Sequence, residues 1–431
     1  CVDCKNFCVP NYYCYECRQS YSTNVCEIHK KDIPPYSFQS IPIKTYLDKA
    51  KNSIGFTDND MPLLIKAVRG MSSSTHVVEN LVKGILRAKY DLQVNKDGTV
   101  RFDGTELPLV SFKPKEISVS IEKLKELGYN YDVYGKELTN ESQILELKPH
   151  DIILPNSSTD PTERAGDIFF KISRFVDDLL EKFYGLNRFY NLKSKEDIIG
   201  HLGVFMAPHN CAGVICRFIG FSKVLGLFAS PYMHAAVRRD CDGDEAAVML
   251  LGDVLINFSR KFLPTHRGAT QDAPLVLNAK IDAGEVDEQI MDFEFAKEYP
   301  LELYQKSLLG VHSSEIKIDT VKTVLRRGED PFVGMFFTHN TEDFNLGVHC
   351  SNYKTLSSMQ DKVRHQMELD DKIRAVDAMD TARLIIDRHF IRDIKGNLRG
   401  FSMQSFRCVE CNEIVRRPPV SGVCPKCKGK V

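Results

Sequence analysis

The stretch richest in reactive side chains is Arg238-Arg239-Asp240-Cys241-Asp242-Gly243-Asp244-Glu245. Asp240, Asp242 and Asp244 alternate, and in an extended segment alternate side chains point the same way. Converging carboxylates repel one another and stay ionised together only beside a hard cation. Mg2+ suits them because it takes oxygen ligands and keeps waters that substrate phosphates can replace. His234, Arg238 and Arg239 precede or open the stretch, and Arg260, Lys261, His266 and Arg267 follow it. Cations beside acidic metal ligands share the charge of a polyphosphate, so phosphate handling is the expected chemistry. His234, Arg238 and Arg239 are the candidate phosphate contacts. Blander accounts compete. An acidic Asp-Gly turn is common, but it ignores the arginines. An EF-hand loop needs Gly sixth and Glu twelfth, where this chain has Glu245 and Leu251. A helix N-cap at Asp244, with Glu245 in the first turn, leaves Asp240 unexplained.

A second chemistry lies in the cysteines. Of 14 in the chain, ten fall near its two ends. Cys408, Cys411, Cys424 and Cys427 read C-x2-C-x12-C-x2-C, a spacing that lets four thiolates converge on one Zn2+. Near the start, Cys1/Cys4, Cys14/Cys17 and Cys26/His29 make three pairs where one tetrahedral site uses two. Either Cys1/Cys4 or Cys26/His29 joins Cys14/Cys17, and Cys8 is spare. Disulfides are the rival, but C-x2-C is too tight for a comfortable bridge and a long chain does not depend on staples. Zinc, and hence a reducing cytoplasm, is expected. Cys211, Cys216, Cys241 and Cys350 lack such spacing and are expected to be buried thiols.

These groups need mounts. Thr75–Tyr90 has a helical period through Val77, Val78, Leu81, Val82, Ile85 and Leu86. Leu92–Asn95 and Thr99–Phe102 flank Lys96-Asp97-Gly98, a hairpin signal. A helix is expected around Ile121–Leu127 and an amphipathic one over Ile168–Tyr184. Residues 199–237 are rich in Gly, Ala, Val and Phe without a helical period, which predicts buried strands of a small closed barrel. After the aspartates a helix is predicted with Val248, Leu251, Leu255, Phe258 and Phe262 on one stripe. Asp272–Asp282 reads as extended, Val363–His389 as helical, and Gly396–Phe406 as the lead into the last cysteines. Asp32–Pro42, with three prolines, reads as a linker.

The chain has 431 residues, enough at ~150 residues per domain for several cores. With 57 basic and 58 acidic residues its net charge is −1, which excludes a histone-like basic protein; nucleic-acid contact must use local patches. Residues 407–431 are such a patch, with six basic and two acidic residues, and Arg416, Arg417, Lys426 and Lys428 are its candidate DNA contacts. No apolar run approaches the ~18 residues that span a bilayer, so no membrane partner is expected. A start at Cys1 and a stop at Val431, beside cysteine-rich segments, read as the cut ends of something longer.

The run SPYMHAAVRRDCDGDEAAVMLLGDVLINFSRKFLP resembles the active-site segment of the large, catalytic subunit of archaeal family-D DNA polymerases. So, in the same order, do KGILRAKYDLQVNKDGTVRFDGTELPL, FVDDLLEKFYGLNRFYN, DAPLVLNAKID and GNLRGFSMQSFRCVECNEIVRRPPVSGVCPKC. Residues 315–343 and the first cysteine module depart from the pattern. The resemblance implies an α+β multidomain chain around a double-psi β-barrel, an architecture shared with multisubunit RNA polymerases. Expected domains are a zinc module at 1–30, a mixed α/β region at 31–165, the catalytic barrel at 166–305, a helical DNA-clamp-like region at 306–404 and a zinc ribbon at 405–431. Asp242 and Asp244 match the family's metal ligands; Asp240 stands where the family has asparagine, and is either a third ligand or a group that orients one. The resemblance further implies two Mg2+ ions, primer-template DNA, dNTP, a small exonuclease subunit and a sliding clamp as partners, and a nucleoid-associated, cytoplasmic location. It places catalytic lysines in a first barrel before Cys1 and the clamp-binding tail after Val431. A related RNA polymerase and a non-catalytic zinc-ribbon DNA-binding module are the alternatives.

Overall fold

The computed structural model describes residues 12–33 (except 15, 18 and 22), 42–68, 77–157, 164–263, 267–338, 341–349 and 356–430. The chain divides into two units, 1–350 and 351–431. The expected linker at 32–42 falls mostly outside the described residues, as do Cys1, Cys4, Cys8, His266 and Cys350.

The first unit is organised by seven strands: β1 (Phe102–Pro108), β2 (Asp151–Pro155), β3 (Leu202–Met206), β4 (Ala212–Ser222), β5 (Gly226–Ala229), β6 (Glu245–Leu250) and β7 (Val276–Asn278). Their order is β7-β4-β2-β5-β1-β6-β3, and β3 also pairs antiparallel with β4. Six strands therefore close into a ring, with β7 parallel to β4 on its outside. Closure leaves no free edge among the six. The ring is mixed: β4 runs parallel to β2 and β5 to β1, while β6 is antiparallel to both β1 and β3. Gly203 shows how tightly it closes, since a Cβ there would lie 2.5 Å from the Phe218 ring and 2.9 Å from the Met249 carbonyl oxygen.

Four helices brace this ring: α1 (Leu81–Lys89), α2 (Ala165–Leu179), α3 (Pro231–Ala236) and α4 (Leu251–Asn257). α2 buries Phe169, Ile172, Phe175, Val176 and Leu179, with Phe169 stacked 4.9 Å from Phe218 of β4. One ion pair joins two strands of the ring and another fastens the flanking helix α1. Arg217 grips Asp151 with two hydrogen bonds of 2.8 and 2.7 Å, and the Tyr129 hydroxyl donates to the same carboxylate at 2.6 Å. Arg87 forks onto Glu79 at 2.7 and 2.6 Å and donates to the Gly98 carbonyl at 2.9 Å.

Several expectations change. Residues 245–250 are a strand, not the start of a helix, so Asp244 caps nothing and Glu245 opens β6. Ala246 to Leu250 are all buried, so the continuous apolar run is that of a strand covered on both faces. The helix begins only at Leu251. The turn at Asn95–Thr99 forms, with Gly98 at φ +92°, but no hairpin flanks it. The Asp97 carboxylate takes the Thr99 N–H, and that of Asp253 takes the Val100 N–H, the donors a ladder would need. α1 starts at Leu81 under an Asn80 cap, leaving Val77 and Val78 exposed. β1 and β2 lie before residue 166 yet belong to the same ring as β3–β6, so the 165/166 division cuts through one sheet.

Among its described residues the second unit has α5 (Met359–Asp370), then α6 (Ala378–Ile385) running through a π-helical turn at Ile386–Phe390 into α7 (Ile391–Met403), then a two-stranded ribbon of Phe406–Arg407 and Ile414–Val415. Asp377 caps α6 by accepting from the N–H groups of Met379 and Asp380. α7 runs through most of the segment expected to be a lead-in. Among residues 356–430 only Cys408, Cys424 and Gly429 are buried, so the apolar stripes of these helices are at most half-covered within the unit. No helix among the described residues is long and apolar enough to cross a membrane.

Candidate functional site

Two sets of soft ligands are gathered. Cys14, Cys17, Cys26 and His29 bring their ligand atoms within 4.8 Å of one another, and so do Cys408, Cys411, Cys424 and Cys427. Of the two pairings open near the N-terminus, the structure assembles Cys14/Cys17 with Cys26/His29. His29 Nδ1 lies 3.4 Å from both Cys14 Sγ and Cys26 Sγ, and Cys17 Sγ lies 3.5 Å from Cys26 Sγ. Glu16 stands 3.6 Å from His29 Nε2, the outer carboxylate that commonly fixes a ligating imidazole. Burial pushes the Cys26 thiol up, but the Tyr21 hydroxyl and His29 N–H outweigh it and bring it down to about 6. In the ribbon, Cys408 and Cys427 are 3.4 Å apart and Cys411 and Cys424 3.6 Å. Asn412 at φ +58° and Lys428 at φ +64° make the tight knuckle turns. Four sulfurs about 2.3 Å from one ion lie roughly 3.8 Å from one another, so both sets fit a tetrahedral metal. Four protein ligands close each site, which suits structure rather than catalysis.

The aspartate loop runs from α3 to β6. Ser230 caps α3 and Pro231 fills its first turn. The helix unwinds at Arg238, φ +63°, with the Arg239 N–H on the His234 carbonyl at 3.0 Å. At the far end the Asp244 carbonyl accepts from the Glu106 N–H at 2.8 Å. Asp240 and Asp242 are exposed, and the Asp244 side chain is 46% exposed. The three do not close into a ligand cluster; among the described residues only the two cysteine sets do so. Gly243 at φ +99° breaks the extended backbone that simple alternation requires. The donors still suit Mg2+, which binds through one or two carboxylates and completes its shell with water and substrate phosphate rather than an all-protein cage.

The basic residues divide. Arg239 lies beside the loop, its Nε 3.7 Å from Asp244 Oδ2, and it donates to the Pro208 carbonyl at 2.5 Å. Arg238 turns to the Glu285 carbonyl at 3.1 Å and stays 57% exposed. His234 is not with them. It is fully buried, 3.5 Å from the equally buried Glu106, because α3 turns this face onto the barrel; a solvent phosphate does not reach it. Glu106 was missed in the sequence, although a carboxylate within the strand-like run Phe102–Pro108 was its signal. Cys241 is pushed up to about 12 by burial and then by the negative charges of Glu106, Asp240 and Asp242, so it is a poor nucleophile. Cys216 is buried as expected, whereas Cys211 is exposed. In the ribbon Arg416, Arg417 and Lys428 are exposed, while Lys426 pairs with Glu413 at 2.9 Å.

Residues 59–362 match the model of the family described as DNA polymerase II large subunit DP2, catalytic domain. The chain is 48% identical over 422 residues to the DNA polymerase II large subunit of Archaeoglobus fulgidus, covering 97% of this chain and 36% of that protein. It is 46% identical over 420 residues to that of Pyrococcus furiosus (96% and 32%) and 45% identical over 427 residues to that of Nanoarchaeum equitans (96% and 34%). The chain thus spans about a third of the length of the curated relatives it matches. It belongs to the family of the DNA polymerase II large subunit catalytic domain.

Proposed function

We propose that this chain carries the metal-binding side of a DNA-templated DNA polymerase active site, and that its closed ring of six strands is a double-psi β-barrel. One observation supports this above the others: in a chain of this family, Asp242 and Asp244 lie on the loop that leads into β6 of the closed ring, with hard oxygen donors open to solvent and a guanidinium alongside. Asp242 and Asp244 would hold Mg2+, which when bound would supply the chemistry of lowering the pKa of a primer 3′-hydroxyl and stabilising the oxygen that leaves with pyrophosphate. Asp240 orients those carboxylates or adds a third ligand. Arg239, already held by Asp244 and Pro208, neutralises triphosphate charge without first having to be ordered. Arg238 is the outer phosphate contact.

The two cysteine sets are read as structural zinc sites, and the ribbon's Arg416, Arg417 and Lys428, with Lys426 once released from Glu413, as contacts to DNA phosphates. The small exonuclease subunit and the sliding clamp complete the expected partners, in a cytoplasmic, nucleoid-associated enzyme. In the full-length polymerase, Asp242→Ala or Asp244→Ala is expected to remove at least ~3 kcal/mol of transition-state stabilisation, roughly a hundredfold or more in primer extension. Near-normal extension by either variant overturns the reading and favours the zinc-ribbon DNA-binding alternative. Equal use of NTP and dNTP would favour an RNA-polymerase-like transferase.

A further inference from the structure

Directly beneath the aspartate loop is a polar pair that the reading above leaves without a task. Glu106 of β1 and His234 of α3 are both fully buried. His234 Nδ1 lies 3.5 Å from Glu106 Oε1. Neither carboxylate oxygen and neither ring nitrogen has a hydrogen-bond partner among the described residues. The backbones of the same two residues hold the loop's ends: the His234 carbonyl accepts from the Arg239 N–H at 3.0 Å, and the Glu106 N–H donates to the Asp244 carbonyl at 2.8 Å.

We propose that Glu106 and His234 are positioning residues, a buried clasp that draws the two ends of the aspartate loop together and so sets the affinity of Asp242 and Asp244 for a divalent cation. The inference rests on the reading of those aspartates as metal ligands. Buried polar groups with no other partner gain most by meeting each other, and in a low-dielectric interior that attraction is strong. Each is fixed by its main chain to one end of the loop, so the attraction is transmitted to the loop's span. The exposed carboxylates above, being like charges, push the other way. Without the clasp the loop widens, and the cation must gather its ligands at the cost of affinity.

The test compares Glu106→Gln, His234→Asn and the double variant in the full-length polymerase, by primer extension against Mg2+ concentration. With the attraction of the buried pair removed, each single variant is expected to raise half-saturating Mg2+ about threefold to tenfold. The rate at saturating Mg2+ should stay within about twofold of the parent, and the double variant should be no worse than the worse single, because both break one interaction. Glu106→Asp, which keeps the carboxyl but withdraws it by one methylene, serves if Glu106→Gln does not fold. Unchanged half-saturation with a reduced maximal rate or melting temperature overturns the clasp and leaves a merely structural pair. Fully additive effects overturn it as well. Asp242→Asn is the control: normal extension there refutes the metal-ligand reading, whereas loss there with no Mg2+ shift in the clasp variants refutes the clasp alone.

Discussion

The cysteine sets and the aspartate loop are both built from potential metal ligands, yet the chain prepares them in opposite ways. In the ribbon, sulfurs lie 3.4 and 3.6 Å apart on turns whose left-handed residues, Asn412 and Lys428, aim them inward. In the loop, Gly243 turns the backbone so that the carboxylates stay apart and exposed. Thiols can approach one another at little cost, whereas carboxylates brought together repel. Where the ion's task is to hold the fold, the ligands are collected and closed off. On the reading proposed above, a substrate would finish the coordination shell at the aspartates, and there they are left open. The barrel depends on neither, because it has its own apolar core and buried ion pairs.

The largest expected effect separates ribbon from barrel. Structural zinc contributes on the order of 10–16 kcal/mol in small zinc domains, and here little but Cys408 and Cys424 is buried around it. A strong chelator, or Cys408→Ser, should therefore render 405–431 protease-sensitive while the barrel keeps its circular dichroism. A ribbon that stays resistant breaks the contrast. On the barrel side, Arg87→Ala strands the buried Glu79 carboxylate and should cost about 3–5 kcal/mol in denaturant unfolding, with the zinc content unchanged. A smaller third effect concerns Asp253, which accepts from the Val100 N–H and the Asn257 amide. Burial raises it from 3.8 to about 6. Between those values the folded state binds the proton more tightly than the unfolded chain, so stability falls as pH rises through that window, by about 3 kcal/mol at most. Asp253→Asn should flatten that slope in thermal melts from pH 4 to 6.5; an unaltered slope assigns it elsewhere. The smallest effect is electrostatic. Neutralising Arg416, Arg417 and Lys428 together should weaken DNA binding and reduce the slope of log affinity against log salt by roughly one per lost phosphate contact. An unchanged slope leaves the ribbon purely structural.

Much of this was legible in the sequence, for physical reasons that differ by region. Tetrahedral sites need fixed C-x2-C spacing, so the ribbon could be read directly, and a buried closed ring explains why 199–229 lacks a helical period, whereas 231–236, expected to be strand as well, form α3. β6 was misread because Val248, Leu251 and Leu255 happen to fall at helical intervals, and only the pairing of 245–250 with β1 and β3 reveals the strand. The convergence of three aspartates assumed an extended backbone, which Gly243 does not provide. The burial of His234 was invisible because it depends on β1, more than a hundred residues earlier in the chain.

The most direct test of the metal-binding claim is Mn2+ titration of the full-length polymerase, followed by electron paramagnetic resonance with and without dNTP. Site occupancy should tighten markedly when dNTP is present and disappear in Asp242→Asn/Asp244→Asn. Binding of equal strength in the parent and the double variant would contradict it.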